Sequence, residues 1–173
     1  LIVLVADKDM HSTLDAIVAR PESLATRAID YHVLRHGDHD GAVRHEAHDY
    51  LRDFRADYDR ALVLFDHEGC GDPRPAADVQ QAVQDRLDGA GWRGRSAVIV
   101  IEPELEAWVW STSPRVHETL GVTAQQRRDI LDRFATTEAG KPTDPKKAMR
   151  AALRLARRPA SSAIFQELAS NVT

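Results

Sequence analysis

Asp66 and Glu68 stand one residue apart where the apolar run Ala61 to Phe65 ends. Alternate residues of an extended segment point to the same side, so both carboxylates could reach one ion. The glycines that follow, Gly69 and Gly71, let the backbone turn sharply away. The plain alternative is a solvated turn in which Asp66 caps backbone N–H groups. The same arrangement recurs along the chain. Leu1 to Val5 runs into Asp7 and Asp9, Ala97 to Ile101 runs into Glu102, Glu104 and Glu106, and the weaker run Ile29 to Leu34 is followed by Asp38 and Asp40. Carboxylates gathered in one place repel unless a cation or protons neutralise them. An all-oxygen set suits a hard divalent cation, Mg2+ or Mn2+.

The spacing ranks these acids. Asp7, Asp66, Glu68 and Glu102 lie at or just beyond strand ends and are the expected metal ligands. Pro103 can open a helix, whose free N–H groups favour a nearby carboxylate; this accounts for Glu104 without any function. Glu106 would lie beside Glu102 at i,i+4 spacing if both are helical, a pair that repels unless it shares a cation. Glu104 or Glu106 is then the candidate for an outer contact or a general base. Asp9 reads as the N-cap of the first helix. Asp38 and Asp40, with His36 and His39, read as surface residues of a loop. The His-x-x-His spacing finds no further close His or Cys to complete a zinc site. Trp108 and Trp110 read as packing residues. Cys70 has His67 three residues away, which does not establish a thiolate pair.

A second signal lies near the C-terminus. Lys141, Lys146, Lys147, Arg150, Arg154, Arg157 and Arg158 fall within 18 residues that hold one acid, Asp144. On a helix, Lys147, Arg150, Arg154 and Arg157 or Arg158 share a face, with Met149, Leu153 and Ala156 on the other side. Lys146, Lys147, Arg150, Arg154 and Arg157 are the candidate nucleic-acid contacts. A solvated helix face is the competing account. Arginine outnumbers lysine 19 to 4, a ratio that GC-rich coding produces as readily as phosphate recognition does.

The elements that must position these groups follow from periodicity. Helix-like stretches separate the four apolar runs, giving a βαβαβαβα pattern and predicting α/β architecture with a parallel sheet of about four strands. The expected helices are about Ser12 to Arg20, Val43 to Arg55, Pro75 to Leu87, and one opened by Pro103. Beyond Ser111 no convincing strand appears. Helices are expected near Pro114 to Leu120, Ala124 to Phe134, Pro145 to Arg157 and Ser162 to Ala169, with a loop from Thr136 to Pro145. The expected organisation is an α/β domain over residues 1–110 and a helical C-terminal extension, 111–173, packed on it. In an open parallel sheet ligands bind beyond the carboxyl ends of the strands, so acids distant in sequence would meet there.

The 173 residues are 43% hydrophobic and 29% charged, with a net charge of -4. That balance suits a globular protein and offers nucleic acid no global attraction, so any such binding needs a local patch. No apolar run approaches the ~20 residues needed to cross a bilayer, and no basic flank marks a signal peptide. No membrane partner is expected. The single cysteine suits a reducing cytoplasm. Leu1 in place of an initiator Met leads us to expect residues before it. No P-loop, dinucleotide fingerprint or G-x-S-x-G elbow is present, which argues against P-loop NTPases, Rossmann oxidoreductases and ordinary α/β-hydrolases.

Taken together, the arrangement resembles a Toprim domain, the fold of topoisomerases, primases and OLD-type nucleases. That family places an acid after its first strand and a D-x-D motif after a later one, and these hold magnesium for phosphoryl transfer. Asp7 stands where the family usually has glutamate followed by glycine, and Lys8 follows here. Asp66-x-Glu68 stands in place of D-x-D. The runs Ala61 to Gly71 (ALVLFDHEGCG) and Val98 to Trp110 (VIVIEPELEAWVW) resemble poorly characterised bacterial Toprim-like proteins, some of them associated with methylation-linked anti-phage defence. The resemblance implies a defence role, makes nucleic acid the first partner to test, and admits other defence-system proteins. Two readings follow. One is a Mg2+-dependent protein with nuclease-type chemistry. The other is a non-catalytic subunit that binds nucleic acid or a partner in a defence complex. A phosphoacceptor receiver would match Asp7, Asp9 and Asp66, but it needs Ser or Thr where Glu102 stands, and nothing strand-like precedes Lys141.

Overall fold

Every residue of Ile2–Val5 is buried, which is what a strand covered on both faces and paired on both edges requires. In the computed structural model, which describes residues 1–171, this strand, β1, is central. It pairs in parallel with β2 (His32–Arg35) and with β3 (Ala61–Asp66), and β3 pairs in parallel with β4 (Ser96–Ile101). The order is β2-β1-β3-β4. The chain moves outward from β1 to β2, then returns across β1 to β3. That reversal opens a crevice beyond the carboxyl ends of β1 and β3, and Asp7 and Asp66 flank it.

Right-handed crossovers place α1 (Lys8–Val18) on one face, and α2 (His39–Tyr50) and α3 (Ala76–Leu87) on the other. Four short elements follow β4 before the last helix: α4 (Glu106–Val109), α5 (Arg115–Leu120), α6 (Ala124–Leu131) and α7 (Pro145–Leu155). The last helix, α8 (Ser162–Asn171), packs along α1. Val116, Leu120, Ile130, Met149, Leu153 and Ile164 from these C-terminal helices join one hydrophobic core with the sheet. Among the described residues no strand follows β4, and Thr136 and Pro142 form an isolated bridge.

Several boundaries differ from the sequence expectation, each for a local reason. The first helix starts at Lys8, because the N-cap is Asp7 and not Asp9: the Asp7 side chain accepts the Met10 N–H. Asp9 lies inside the first turn, and its Oδ1 accepts the Ser162 hydroxyl of α8 at 2.6 Å. No helix begins at Pro103. The Glu102–Pro103 peptide is cis, the Pro103 carbonyl accepts the Glu68 N–H, and α4 starts only at Glu106. The helix α7 ends at Leu155, and Arg157 adopts a left-handed conformation (φ 54°) beyond it.

At the amino end of the sheet, arginines fasten the turns that feed the strands. Arg60 donates to the Gly94 carbonyl and Arg55 to the Ala90 carbonyl. Arg95 donates to the Arg55 and Tyr58 carbonyls and lies over the Trp92 ring, 4.6 Å from its centroid. Trp92 itself is fully buried, and its indole N–H donates to the Leu51 carbonyl.

Candidate metal centre

Asp66 is the last residue of β3, in line with buried Leu64 on the same face of the strand. Its backbone N–H donates to Asp40 Oδ1 at 2.8 Å, so the first turn of α2 grips the end of β3. The close approach needs glycine at position 69, where a Cβ would overlap the Asp40 carboxylate. Asp66 is 8% exposed, and its Oδ1 has no hydrogen-bond partner. A buried carboxylate oxygen left unpaired is costly unless it is protonated or bound by a cation.

Two more buried acids meet it. Glu104 and Glu106, 5% and 7% exposed, bring one carboxylate oxygen each to within 4.8 Å of Asp66 and of one another. The turn that replaces the expected helix at Pro103 sends both side chains inward. The opening of α7 then closes the cluster. Trp110 donates its indole N–H to the Pro145 carbonyl, and Lys141 donates its ammonium to the Ala107 carbonyl. With α7 docked there, Lys146 donates its backbone N–H to Glu104 at 3.1 Å, and its Nζ lies 2.5 Å from Glu104 and 3.7 Å from Glu106.

The charges are strongly coupled. Burial pushes the Asp66 carboxyl up to about 9, with Asp40, Glu106 and Asp7 adding repulsion and Lys146 offsetting part of it. Burial also raises Glu106 and Asp40; Lys146 counteracts the first, and the Asp66 N–H counteracts the second. Lys146 is raised, its burial outweighed by the Glu104 hydrogen bond and by the charges of Glu106, Glu104 and Asp66. Without a divalent ion, one proton and one ammonium serve as the countercharge for three acids. The donor set is all carboxylate oxygen, and one of those oxygens is orphaned. That fits a hard cation such as Mg2+ or Mn2+.

Around the cluster lies a cleft of about 380 Å³, lined by Asp7, Asp40, Asp66, Glu68 and Glu104 and, from the start of α7, by Asp144, Lys146, Lys147 and Arg150. No family model, curated protein or solved structure matches the chain. The site therefore stands on its own geometry.

The predicted residues are distributed unevenly over that geometry. Asp66 is in the cluster. Asp7 and Glu68 line the cleft outside it; Asp7 is occupied as a helix cap, and Glu68 is exposed. Glu102 is exposed and borders neither cluster nor cleft. Its place is taken by Glu104 and Glu106, which the sequence had suggested for outer roles. Asp40, read as a surface residue, lines the cleft and holds the Asp66 backbone. Lys146, read as part of a nucleic-acid stripe, is inside the acid cluster. Lys147, Arg150 and Arg154 remain exposed along α7, with Lys147 paired to Asp144 at 2.6 Å. Arg157 has left the helix, and Arg158 is tied to Glu167 and to the Thr119 carbonyl.

The other candidates settle quietly. His36 is buried, accepts the Asp38 N–H at Nδ1 and faces Glu46, while His39 is exposed. The Cys70 side chain is buried, and the His67 ring contacts the Arg74 carbonyl. Trp110 is buried, whereas Trp108 is 38% exposed beside a small apolar cavity between α1, α4 and α8.

Proposed function

We propose that this protein is a Mg2+- or Mn2+-dependent enzyme that hydrolyses phosphodiester bonds of nucleic acid, with Asp66, Glu104 and Glu106 as the metal ligands. The observation that carries the reading is the orphaned, buried Asp66 Oδ1 beside two buried glutamates. A divalent ion in such a site supplies Lewis acidity, polarising a phosphoryl oxygen and acidifying water.

The chain's own residues do the rest. Lys146 holds Glu104 in place through both its N–H and its ammonium. Lys147 and Arg150 form the basic wall of the cleft, where they bind the phosphate backbone, and Arg154 extends that face along α7. Glu68, exposed at the cleft, takes the proton from the attacking water. The water oxygen bonds to phosphorus, the ester P–O bond breaks, and the departing oxygen takes a proton from solvent, to which Glu68 returns the one it removed. The products are a phosphomonoester and an alcohol. The resemblance to bacterial Toprim-like proteins supports the same chemistry and supplies the anti-phage defence context.

The test is cleavage of labelled DNA and RNA oligonucleotides with Mg2+ or Mn2+. Cleavage should disappear in EDTA and in Asp66→Asn and Glu104→Gln. Cleavage that survives EDTA or these variants would contradict the reading.

One observation favours a second reading. Lys146 already pairs with Glu104 and lies 3.7 Å from Glu106, as a permanent counter-ion in a non-catalytic subunit would. In that case wild type binds nucleic acid or a partner protein but cleaves neither DNA nor RNA under any metal condition.

A further inference from the structure

The two edges of the sheet are finished differently. At one edge β2 is four residues long and carries exposed His32 and Arg35 at its ends. Short length and charged side chains keep an edge strand from pairing with another chain. At the other edge β4 is six residues long, and none of Ser96–Ile101 is charged. Among the described residues β4 pairs with β3 alone. In that parallel ladder the Arg95 carbonyl accepts the Ala61 N–H, and the Ile101 carbonyl accepts the His67 N–H. The odd-numbered residues of β4 therefore turn their backbone groups to β3, and Ser96, Val98 and Val100 turn theirs outward. The Val100 N–H donates to the Gln80 side chain of α3 at 3.2 Å. Ala97 and Ile99 share one face of the strand and are exposed, Ile99 by 36%. Charges of opposite sign flank the strand. Arg93 before it and Glu102 after it are exposed, and among the described residues neither belongs to an ion pair.

We propose that β4 is the seam of a homodimer. Two copies pair their β4 strands antiparallel about a twofold axis at Val98, and the four strands of each join in one sheet. The charges select a second copy as the occupant. Pairing centred on Val98 sets Ser96 opposite Val100, Ala97 opposite Ile99 and Gly94 opposite Glu102. Glu102 of each copy then lies beside Arg93 of the other, and the twofold axis makes every contact twice. A parallel pairing would set like charge beside like. The outward N–H and carbonyl groups of the two Val98 residues exchange hydrogen bonds. Those of Ser96 and Val100 do the same once Gln80 turns aside, and Ile99 covers Ala97 across the seam. A foreign strand added at this edge would satisfy the backbone equally well, but it would need the same two charges in reverse order. The chain's own β4 carries them. The paired strands run in opposite directions, so the two acid clefts open at opposite edges of the joined sheet. Pairing at β4 is independent of the chemistry of those clefts.

The experiment is sedimentation velocity across a concentration series, which reads the mass in solution. It uses wild type, Ile99→Lys, Glu102→Arg and the double variant Arg93→Glu/Glu102→Arg. The replaced side chains are exposed, so the fold should survive, and thermal melts check this. Wild type should sediment as a dimer that dissociates on dilution. Ile99→Lys puts a charge into the seam and should sediment as a monomer with a cooperative melt. Glu102→Arg sets arginine beside arginine and should move dissociation of the dimer to higher concentration. The double variant restores opposite signs and should bring it back. Wild type that stays monomeric at every concentration would overturn the proposal, as would a dimer that Ile99→Lys leaves intact. A dimer indifferent to Glu102→Arg, or one that the double variant does not restore, would overturn the antiparallel pairing. Should Ile99→Lys fail to fold, the charge reversal and its rescue decide the question.

Discussion

The two ends of the sheet handle charge in opposite ways. At the amino end, Arg55, Arg60 and Arg95 each donate to backbone carbonyls, and Arg95 also covers the indole of Trp92. Their positive charge stays near solvent, and their donors fasten turns. At the carboxyl end, three buried acids face one another with a single ammonium between them, and one carboxylate oxygen has no partner. Charged residues are abundant at both ends, so abundance marks neither as functional. What separates them is satisfaction. The three arginines of one end are paired with carbonyls, and the other end holds charge that only a proton, Lys146 or an added cation can balance.

Several substitutions would break or sharpen that contrast. The largest effect on stability should come from the paired end. Trp92→Ala removes a fully buried ring and should cost about 3–5 kcal/mol. The metal response, measured below the lowered melting point, should survive. If it vanished in a still-folded variant, the two ends would not be separable.

At the acid end the effect should have the opposite sign. The Asp66 carboxyl is raised to about 9 in the folded protein, against ~4 in an unfolded chain. The native state therefore keeps a proton that the unfolded state gives up. Stability from this group is full below about pH 4 and is lost as the pH rises towards 9. In EDTA, Asp66→Asn should melt higher than wild type at pH 8. The gap should close towards pH 5. A gap that stays constant with pH would mean Asp66 is not strained by its neighbours.

A smaller loss is expected at Arg95. Arg95→Ala removes the stacked guanidinium and its carbonyl contacts, for about 1 kcal/mol in thermal melts. Smallest of all, Glu102→Gln should change stability by less than ~0.5 kcal/mol and leave metal binding untouched in a Mn2+ titration. A Glu102→Gln variant that lost metal would restore the residue to the centre from which the structure excludes it.

The sheet was legible because its signal is physical and local. Ile2–Val5 and Ala61–Phe65 are apolar at nearly every position, as strands covered on both faces demand; Ala97–Ile101 is equally apolar, although its edge strand leaves Ala97 and Ile99 exposed. The carboxyl-end placement of Asp7, Asp66 and Glu68 followed from strand direction. What sequence could not show was which acids turn inward. Glu102 sits at the strand end, yet the turn through Pro103 leaves it outside and buries Glu104 and Glu106. The only available sign was that Glu104 and Glu106 alternate with Leu105, Ala107 and Val109 in a segment too apolar to be a solvated loop. Lys146 was hidden for a different reason. Its partners are 40 and 42 residues earlier, and a helical wheel places it among basic neighbours whose side chains remain in solvent. Asp40 could be found only from the depth at which α2 approaches β3, a tertiary fact that Gly69 records in the sequence.

The central claim is that Asp66, Glu104 and Glu106 form one divalent-cation site, and calorimetric titration of Mn2+ into the metal-free protein tests it most directly. The account predicts saturable binding to wild type with proton release at neutral pH, since metal must replace the proton on Asp66. That binding should be lost in Asp66→Asn and in Glu104→Gln, and kept in Glu102→Gln. Binding to wild type no different from that of Asp66→Asn would contradict it and leave Lys146 as the cluster's permanent counter-ion.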